Sequence, residues 1–449
     1  MRKNKKISFK NFNTAYGGLF RSRRELLSQK LQKITRGKPF SALLYSGSEV
    51  LRNGDVYYPF RCCSDFYYLT GFREPEAWAL ITFDENNGYE DLILSERKDK
   101  TKEIWNGKII GQKKAESEYL FDKAFDNTKS DIIIQEKIKG SEIIFFKFGS
   151  NLMLTKVNLW LSNLQKEKRN GINPANLYSD LKVPIENQRL IKEKYEIDIM
   201  RKASGISAQG HRNAMMFARP GVKEFDIETE LLRTFRNLGA EDVAYPSIVA
   251  SGPNSCTLHH KAGQRVLKEG ELLLIDAGCE LQGYASDITR TFPISKKFSS
   301  PQKLIYSMVL LAQSAAVEQI KPGNNFSAPH FAAVESLTSS LLDAGFLKSG
   351  CLDEAIETGE YKRFYMHKTG HWLGLDVHDV GSYDRKFEKN MVLTVEPGLY
   401  IQPTKDIPRE FWNIGIRIED DALVTKNGCD LISRDIPVEI NEIEEITNS

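Results

Sequence analysis

The chain has seven histidines in 449 residues, and His367, His371 and His378 fall within one stretch, Phe364–Gly381 (FYMHKTGHWLGLDVHDVG). A lone histidine beside apolar residues is usually a satisfied core residue, but three so close together concentrate proton-transfer and metal-binding capacity. His367 and His371 are four residues apart, yet Gly370 and Gly374 argue against a regular helix. No HExxH occurs, so a zinc-protease helix is not indicated. His211 and His330 sit inside helical runs and read as structural.

Carboxylates gather in a second stretch, Gly270–Pro293 (GELLLIDAGCELQGYASDITRTFP). The apolar run Leu272–Ile275 suits a buried strand and ends at Asp276. Tyr284–Phe292 alternates and is rich in Thr, Ile and Phe, as strands are. A hairpin turning about Leu281–Gln282 is predicted, which sets Asp276 opposite Asp287. Two carboxylates across a ladder repel, and burying them unpaired costs more still. A cation between them removes both objections.

The pattern recurs downstream. Asn390–Gly398 (NMVLTVEPG) matches Gly270–Gly278 position for position, so Glu396 falls where Asp276 sits. Gly415–Asp421 (GIRIEDD) then supplies Glu419 in the role of Asp287. Upstream, Ala218-Arg-Pro-Gly221 precedes a helical stretch Phe225–Ala240, and Ile320-Lys-Pro-Gly323 precedes another reaching Phe346. Helix, Pro-Gly break, helix and carboxylate hairpin therefore occur twice in the same order, an internal repeat. Packed about a pseudo-twofold axis, the halves bring four carboxylates to the centre.

Two Asp, two Glu and one His form an oxygen-rich donor set. Such a set suits Mn²⁺, Co²⁺ or Mg²⁺ better than a structural zinc site, which favours Cys and His. Five ligands, several able to bridge, suffice for two ions about 3.5–4 Å apart. A bridged pair makes hydroxide from water near neutral pH and polarises a carbonyl, which is the equipment for amide hydrolysis.

The elements that must position these residues divide the chain in two. Residues 1–182 read as a smaller α/β domain, with a helix over Leu26–Ile34 and strands at Ala42–Ser46, Phe66–Leu69, Trp78–Phe83, Leu92–Leu94 and Ile143–Phe148. An amphipathic helix, Leu154–Leu164, closes it. Lys182-Val-Pro184 interrupts the pattern and marks the boundary. Residues 183–449 open with a long helix, Glu193–Phe217, and read as α+β with a mostly antiparallel sheet and helices on one face.

Composition narrows the function. Hydrophobic content of 41 %, charged content of 27 % and a net charge of +2 describe an ordinary globular protein, with no global field for nucleic acid. No apolar run approaches the roughly 20 residues of a membrane span. The basic start, MRKNKKISFKNFNTAYGG, has no hydrophobic core, so it is not read as a secretory signal but as a short disordered lead-in with a faint likeness to a transit peptide. Six sparse cysteines without a CxxC spacing imply reduced thiols and a cytoplasmic location.

IDAGCELQGYASDITRTFP, HKTGHWLGLDVHDVG, VLTVEPGLYI and GIRIEDD together resemble the metal-binding motifs of the pita-bread metallopeptidases, and most closely the aminopeptidase P (Xaa-Pro aminopeptidase) family. The likeness extends to the first domain, through SDFYYLTGFREPEAW at Ser64–Trp78 and KEIWNGKIIGQ at Lys102–Gln112. It implies a duplicated C-terminal catalytic domain behind a smaller α/β domain. By position, Asp276 would bind one metal, His371 and Glu396 the other, and Asp287 and Glu419 would bridge the pair. Glu396 is also the family's candidate general base. His259, rather than its neighbour His260, matches a histidine near the substrate, and His378 one that assists the tetrahedral intermediate or proton transfer. His367 and Arg417 would line the substrate site. Trp105 matches a tryptophan that reaches a neighbouring subunit's site in tetrameric relatives. One departure is Lys368-Thr-Gly370, where small or apolar residues are commoner.

The resemblance thus implies two divalent ions per chain, Mn²⁺ first with Co²⁺ or Zn²⁺ as alternatives. It implies peptide substrates with an N-terminal Xaa-Pro, no nucleic-acid or membrane partner, and a homo-oligomer, dimer or tetramer. Prolidase, which cuts Xaa-Pro dipeptides, shares the fold and ligand set. A metal-free pita-bread binding module or a creatinase-like hydrolase would have lost ligands, and here all five are present. Methionine aminopeptidase lacks the long first domain.

Overall fold

The computed structural model of the chain describes residues 9–294 and 296–448. Residues 1–8, the start of the expected lead-in, lie outside the described residues. From Phe9 the chain is already helical, and the helix runs through Thr35, longer than its amphipathic signal predicts. That signal is weak because Arg23 and Arg24 lie on the buried side with Phe20, Leu27 and Leu31. Arg24 is paired there with Asp91 at 2.5 Å.

Contacts divide the chain into two compact units, Met1–Gln188 and Arg189–Ser449. Lys182-Val-Pro184, expected to break the chain, instead opens a helix, Lys182–Arg189. Pro184 falls in its first turn, where a missing N–H leaves nothing unsatisfied.

The first unit is built on a six-stranded mixed sheet in the order Lys123–Asp126, Gly88–Ser95, Trp78–Asp84, Phe40–Tyr45, Ile143–Phe146 and Leu177–Asp180. Its core includes Leu80, Leu92, Ile144 and Trp160. Phe66–Leu69 is not a strand. It lies in the helix Ser64–Thr70, closed by Gly71 at φ +66, whose N–H donates to Tyr67 O at 2.7 Å. All seven helical residues are buried, so the run has no amphipathic period to tell it from a strand. The Trp105 segment is a short helix, Lys100–Asn106, capped by the Asp99 carboxylate.

The second unit carries the repeat. Two helix pairs, Lys194–Phe217 with Glu224–Asn237 and Ser300–Glu318 with Ser327–Asp343, each precede an antiparallel hairpin. The breaks between paired helices are tied down identically. Gly221 at φ +94 donates to Leu267 O at 3.0 Å, and Gly323 at φ +92 donates to Phe387 O at 2.9 Å. Leu267 N–H then returns a bond to Val222 O and Phe387 N–H to Asn324 O, each at 2.8 Å. Gly270 and Asn390 occupy the same left-handed position, at φ +80 and φ +72, where Asn is the commonest substitute for Gly.

The hairpin registers correct one expectation. Leu272–Asp276 pairs with Thr289–Pro293 so that Asp276 faces Thr289, not Asp287. The turn closes on Leu281↔Tyr284, with Gln282 at φ +52 and Gly283 at φ +83. Two consecutive left-handed residues make the tight turn whose twist matches a hairpin, and it lies one residue beyond the expected centre. Each cross-strand partner therefore moves by two. In the second hairpin one register runs from Val395↔Asp420 to Gly398↔Arg417, which sets Glu396 against Glu419. By register the counterpart of Glu419 is Thr289, and Asp287 sits in the non-ladder residues 286–288.

Candidate metal centre

Asp276, at the end of its strand, and Asp287, in the break beside it, are both buried. The break packs tightly against the first strand: a Cβ on Gly278 would lie 1.7 Å from Ser286 O, so only glycine permits the approach. His211, fully buried in the Lys194–Phe217 helix, holds the same turn, its Nε2 lying 2.9 Å from the Ala277 carbonyl oxygen. Tyr245 Oη joins the two carboxylates, 2.6 Å from Asp276 Oδ1 and 2.5 Å from Asp287 Oδ1. Asp287 N–H donates to the buried Asp421, which also accepts from Ser204 Oγ at 2.7 Å.

Asp287, His371 and Glu419 each offer one ligand atom, and these atoms lie within 4.8 Å of one another. His371 Nδ1 is 2.9 Å from the Trp372 carbonyl oxygen, which can only accept. The bond places the proton on Nδ1 and turns Nε2 towards Asp287 Oδ2 at 3.4 Å and Glu396 Oε1 at 3.7 Å. The His371 loop packs tightly against the strand Val392–Val395. A Cβ on Gly370 would lie 2.1 Å from Thr394 O. His378 stands with its ring centroid 4.3 Å from that of His371. Its neighbour Asp379 anchors the loop, taking Arg189 at 2.6 Å and Lys192 at 3.0 Å in a buried three-way ion pair.

Arg417 links the remaining members. It reaches Asp276 Oδ2 at 2.6 Å, Thr289 Oγ1 at 3.1 Å and Tyr400 Oη at 2.9 Å. Thr289 Oγ1 in turn donates a hydrogen bond to Glu419 Oε2 at 2.7 Å. Tyr400 Oη is 2.9 Å from His367 Nε2, whose other nitrogen faces Lys368 O at 2.8 Å. Burial and then the charge of Arg417 push His367 down to about 4, which keeps the ring neutral.

Four carboxylates thus meet one permanent cation, Arg417. Burial pushes the carboxyls of Asp276, Glu396 and Glu419 up, Glu396 to about 7. Burial works against a charged His371, but Asp287 and Glu396 outweigh it and lift the ring to about 9. The set therefore gathers protons when no other cation is present. A divalent cation would replace them, and the oxygen-rich donors with one imidazole fit such an ion. The residues able to hold it are Asp276, Asp287, His371, Glu396 and Glu419.

Asp276, His371 and Glu396 line a cavity of about 1070 Å³. His259, His367, His378 and Arg417 line it. His260 does not: its Nε2 lies 2.9 Å from Glu224 Oε2, inside a buried network with Asn254 and Ser251. His330, read as structural, also lines the cavity, with Nδ1 2.9 Å from Thr369 Oγ1. The structure adds Tyr245, Thr289 and Tyr400 to the set that the sequence suggests. Tyr400 lies within a recognised motif, four residues past Glu396, but only the tertiary fold shows what its hydroxyl meets. Trp105 belongs to the other unit and is 83 % exposed beside Ile104 at 80 %.

A duplicated hairpin fold around a buried carboxylate centre defines a pita-bread metallopeptidase. Residues 198–426 match metallopeptidase family M24, and residues 20–145 match the aminopeptidase P N-terminal domain. The chain belongs to metallopeptidase family M24, a family that uses divalent metal, and it is a metal-dependent aminopeptidase. It is 39 % identical to the Xaa-Pro aminopeptidase of Haemophilus influenzae over 94 % of this chain and 97 % of the relative. It is 36 % identical to that of Escherichia coli K12 over 95 % and 97 %. Among solved structures, Pseudomonas aeruginosa aminopeptidase PepP superposes with a TM-score of 0.91 at 39 % identity, covering 96 % of this chain and 98 % of that one. E. coli aminopeptidase P with the inhibitor Pro-Leu also gives 0.91, at 36 % identity, covering 96 % and 97 %.

Proposed function

We propose that this metal-dependent aminopeptidase releases the N-terminal residue from peptides with proline in second position, using two divalent ions, Mn²⁺ preferred. The observation that carries the reading is the convergence of Asp287, His371 and Glu419 with Asp276 and Glu396, where Asp276, His371 and Glu396 line one cavity. Divalent cations supply Lewis-acid polarisation of a carbonyl and water activated near neutral pH. Asp287 and Glu419, central in the set, are the bridging candidates, with Asp276 on one side and His371 and Glu396 on the other.

The remaining roles fall to neighbouring side chains. Glu396, raised to about 7, can take a proton from the attacking water and return it to the leaving nitrogen. His259 and His378 line the cavity as donors to the developing oxyanion. Arg417, His367 and Tyr400 form one hydrogen-bonded wall that orients the substrate. A bond before proline is a tertiary amide with no N–H, so a site that grips that hydrogen fails on it. No acceptor in this set requires it.

Prolidase activity is the nearest alternative. The deciding experiment compares an Xaa-Pro dipeptide with an Xaa-Pro-Yaa tripeptide under Mn²⁺, Co²⁺ and Zn²⁺. Cleavage of the tripeptide at the Xaa-Pro bond supports the proposal, whereas cleavage of the dipeptide alone assigns prolidase activity. We place the protein in the cytoplasm as a homo-oligomer. No helix among the described residues is long and apolar enough to cross a membrane, and the six cysteines are free thiols.

A further inference from the structure

Above the metal centre, the cavity wall carries two lysines, Lys362 and Lys368. Both are exposed, and among the described residues neither ammonium makes an ion pair or a hydrogen bond. The contrast with the adjacent residue is sharp: Arg363 holds Asp406 through two bonds of 2.5 Å each. Lys368 lies between His367 and His371, so the chain delivers its charge beside the centre. Burial, then Lys368 and Lys362, lower the pKa of His330 to about 4, which puts both ammoniums within electrostatic reach of that one ring on the cavity wall. Asp384 is the lining's only carboxylate besides Asp276 and Glu396, and it pairs with neither lysine.

The reactive bond lies one residue from the peptide's amino end, so every residue beyond the proline must run outward through the cavity that these lysines line. Apolar Phe331, Met366 and Tyr383 take up part of it, exposed at 66 %, 47 % and 51 %. We infer that Lys362 and Lys368 recognise a carboxylate on the substrate beyond the proline, either the C-terminus of a short peptide or an acidic side chain. This inference rests on the Xaa-Pro aminopeptidase reading. It adds a rule the centre does not contain: among Xaa-Pro peptides, those with a negative charge just beyond the proline, on the third residue, are preferred.

The test uses the Mn²⁺-loaded full chain and three peptides, Xaa-Pro-Ala as the free acid, Xaa-Pro-Ala-amide and Xaa-Pro-Glu-amide. The free acid or the Glu peptide should exceed the neutral amide in kcat/KM by about three- to tenfold, the scale of one or two exposed ion pairs, mainly through KM. The preference should shrink in high salt, disappear in Lys362→Gln/Lys368→Gln and return in Lys362→Arg/Lys368→Arg. Preference for the acid alone identifies the chain end as the carboxylate, and preference for the Glu peptide identifies a side chain. Equal rates on all three peptides, or an unchanged preference in the Gln double variant, overturn the inference. Failure to cleave any of the three overturns the aminopeptidase reading instead.

Discussion

Thr289 and Glu419 meet across the two halves of the repeat: Thr289 Oγ1 donates to Glu419 Oε2 at 2.7 Å, and Glu419 N–H donates to Thr289 O at 3.1 Å. They occupy equivalent positions in their hairpins, one a ligand candidate and the other its support. The duplication has therefore diverged at the centre: one half keeps a carboxylate where the other keeps a hydroxyl. Removing that hydroxyl while keeping the shape, by Thr289→Val, leaves Glu419 short of a buried donor. We expect a loss of about 1–3 kcal/mol in stability and about 10–100-fold in metal affinity. Denaturant unfolding and metal titration check the two effects separately.

Metal should be indispensable. Exhaustive chelation is expected to abolish peptide cleavage and Mn²⁺ to restore it. Asp287→Asn or Glu419→Gln should lose both ions if these residues bridge, whereas His259→Ala should keep both and lose rate. Elemental analysis near two ions per chain in the Asp287 variant would sink the bridging assignment.

Trp105 tests the oligomer. At 83 % exposure it does not pack inside its own unit, so Trp105→Ala should change stability by no more than about 0.5 kcal/mol. If it completes a neighbour's proline pocket, the variant keeps its metal and loses activity chiefly on longer peptides. Sedimentation showing that the active wild-type species is a monomer would end this reading.

His211 gives a stability signature. Its pKa falls from 6.5 to about 4, first because it is fully buried, with the Ala277 carbonyl opposing the shift. A lowered folded pKa means the unfolded chain protonates first as the pH drops. Its stabilising contribution is thus complete above pH 6.5 and is lost on descending towards 4, a span of about 3 kcal/mol. Melting temperatures of the wild type and His211→Gln should diverge less at pH 4.5 than at pH 7.5. A pH-independent difference would show that the imidazole does not carry the effect.

The sequence exposes the centre's carboxylates because each interrupts or ends an apolar strand, where an unpaired charge is costly. It also exposes the repeat, since Gly270 and Asn390 stand at the same left-handed turn. The register of the first hairpin was less legible. It depends on whether Gln282 accepts a positive φ, which is rare for that residue type. Ser64–Thr70 was misread because complete burial erases helical periodicity. Thr289 and Tyr400 stand inside recognised motifs and Tyr245 outside them, but nothing local names their partners, which lie 130, 33 and 31 residues away. His330 looked structural because it sits within a helix, and only the fold turns that part of the helix towards the cavity.

The twin ladders at Gly221 and Gly323 also separate closure within a half from closure between halves. Each closes within its own half, Gly221 with Leu267 and Gly323 with Phe387. The bonds joining the halves at the centre, Thr289 to Glu419 and Arg290 to Asp420, span 130 residues. Closing the longer loops costs more chain entropy and is slower. The candidate ligand set is therefore divided, Asp276 and Asp287 from one half and His371, Glu396 and Glu419 from the other, so that neither half alone could hold a metal pair.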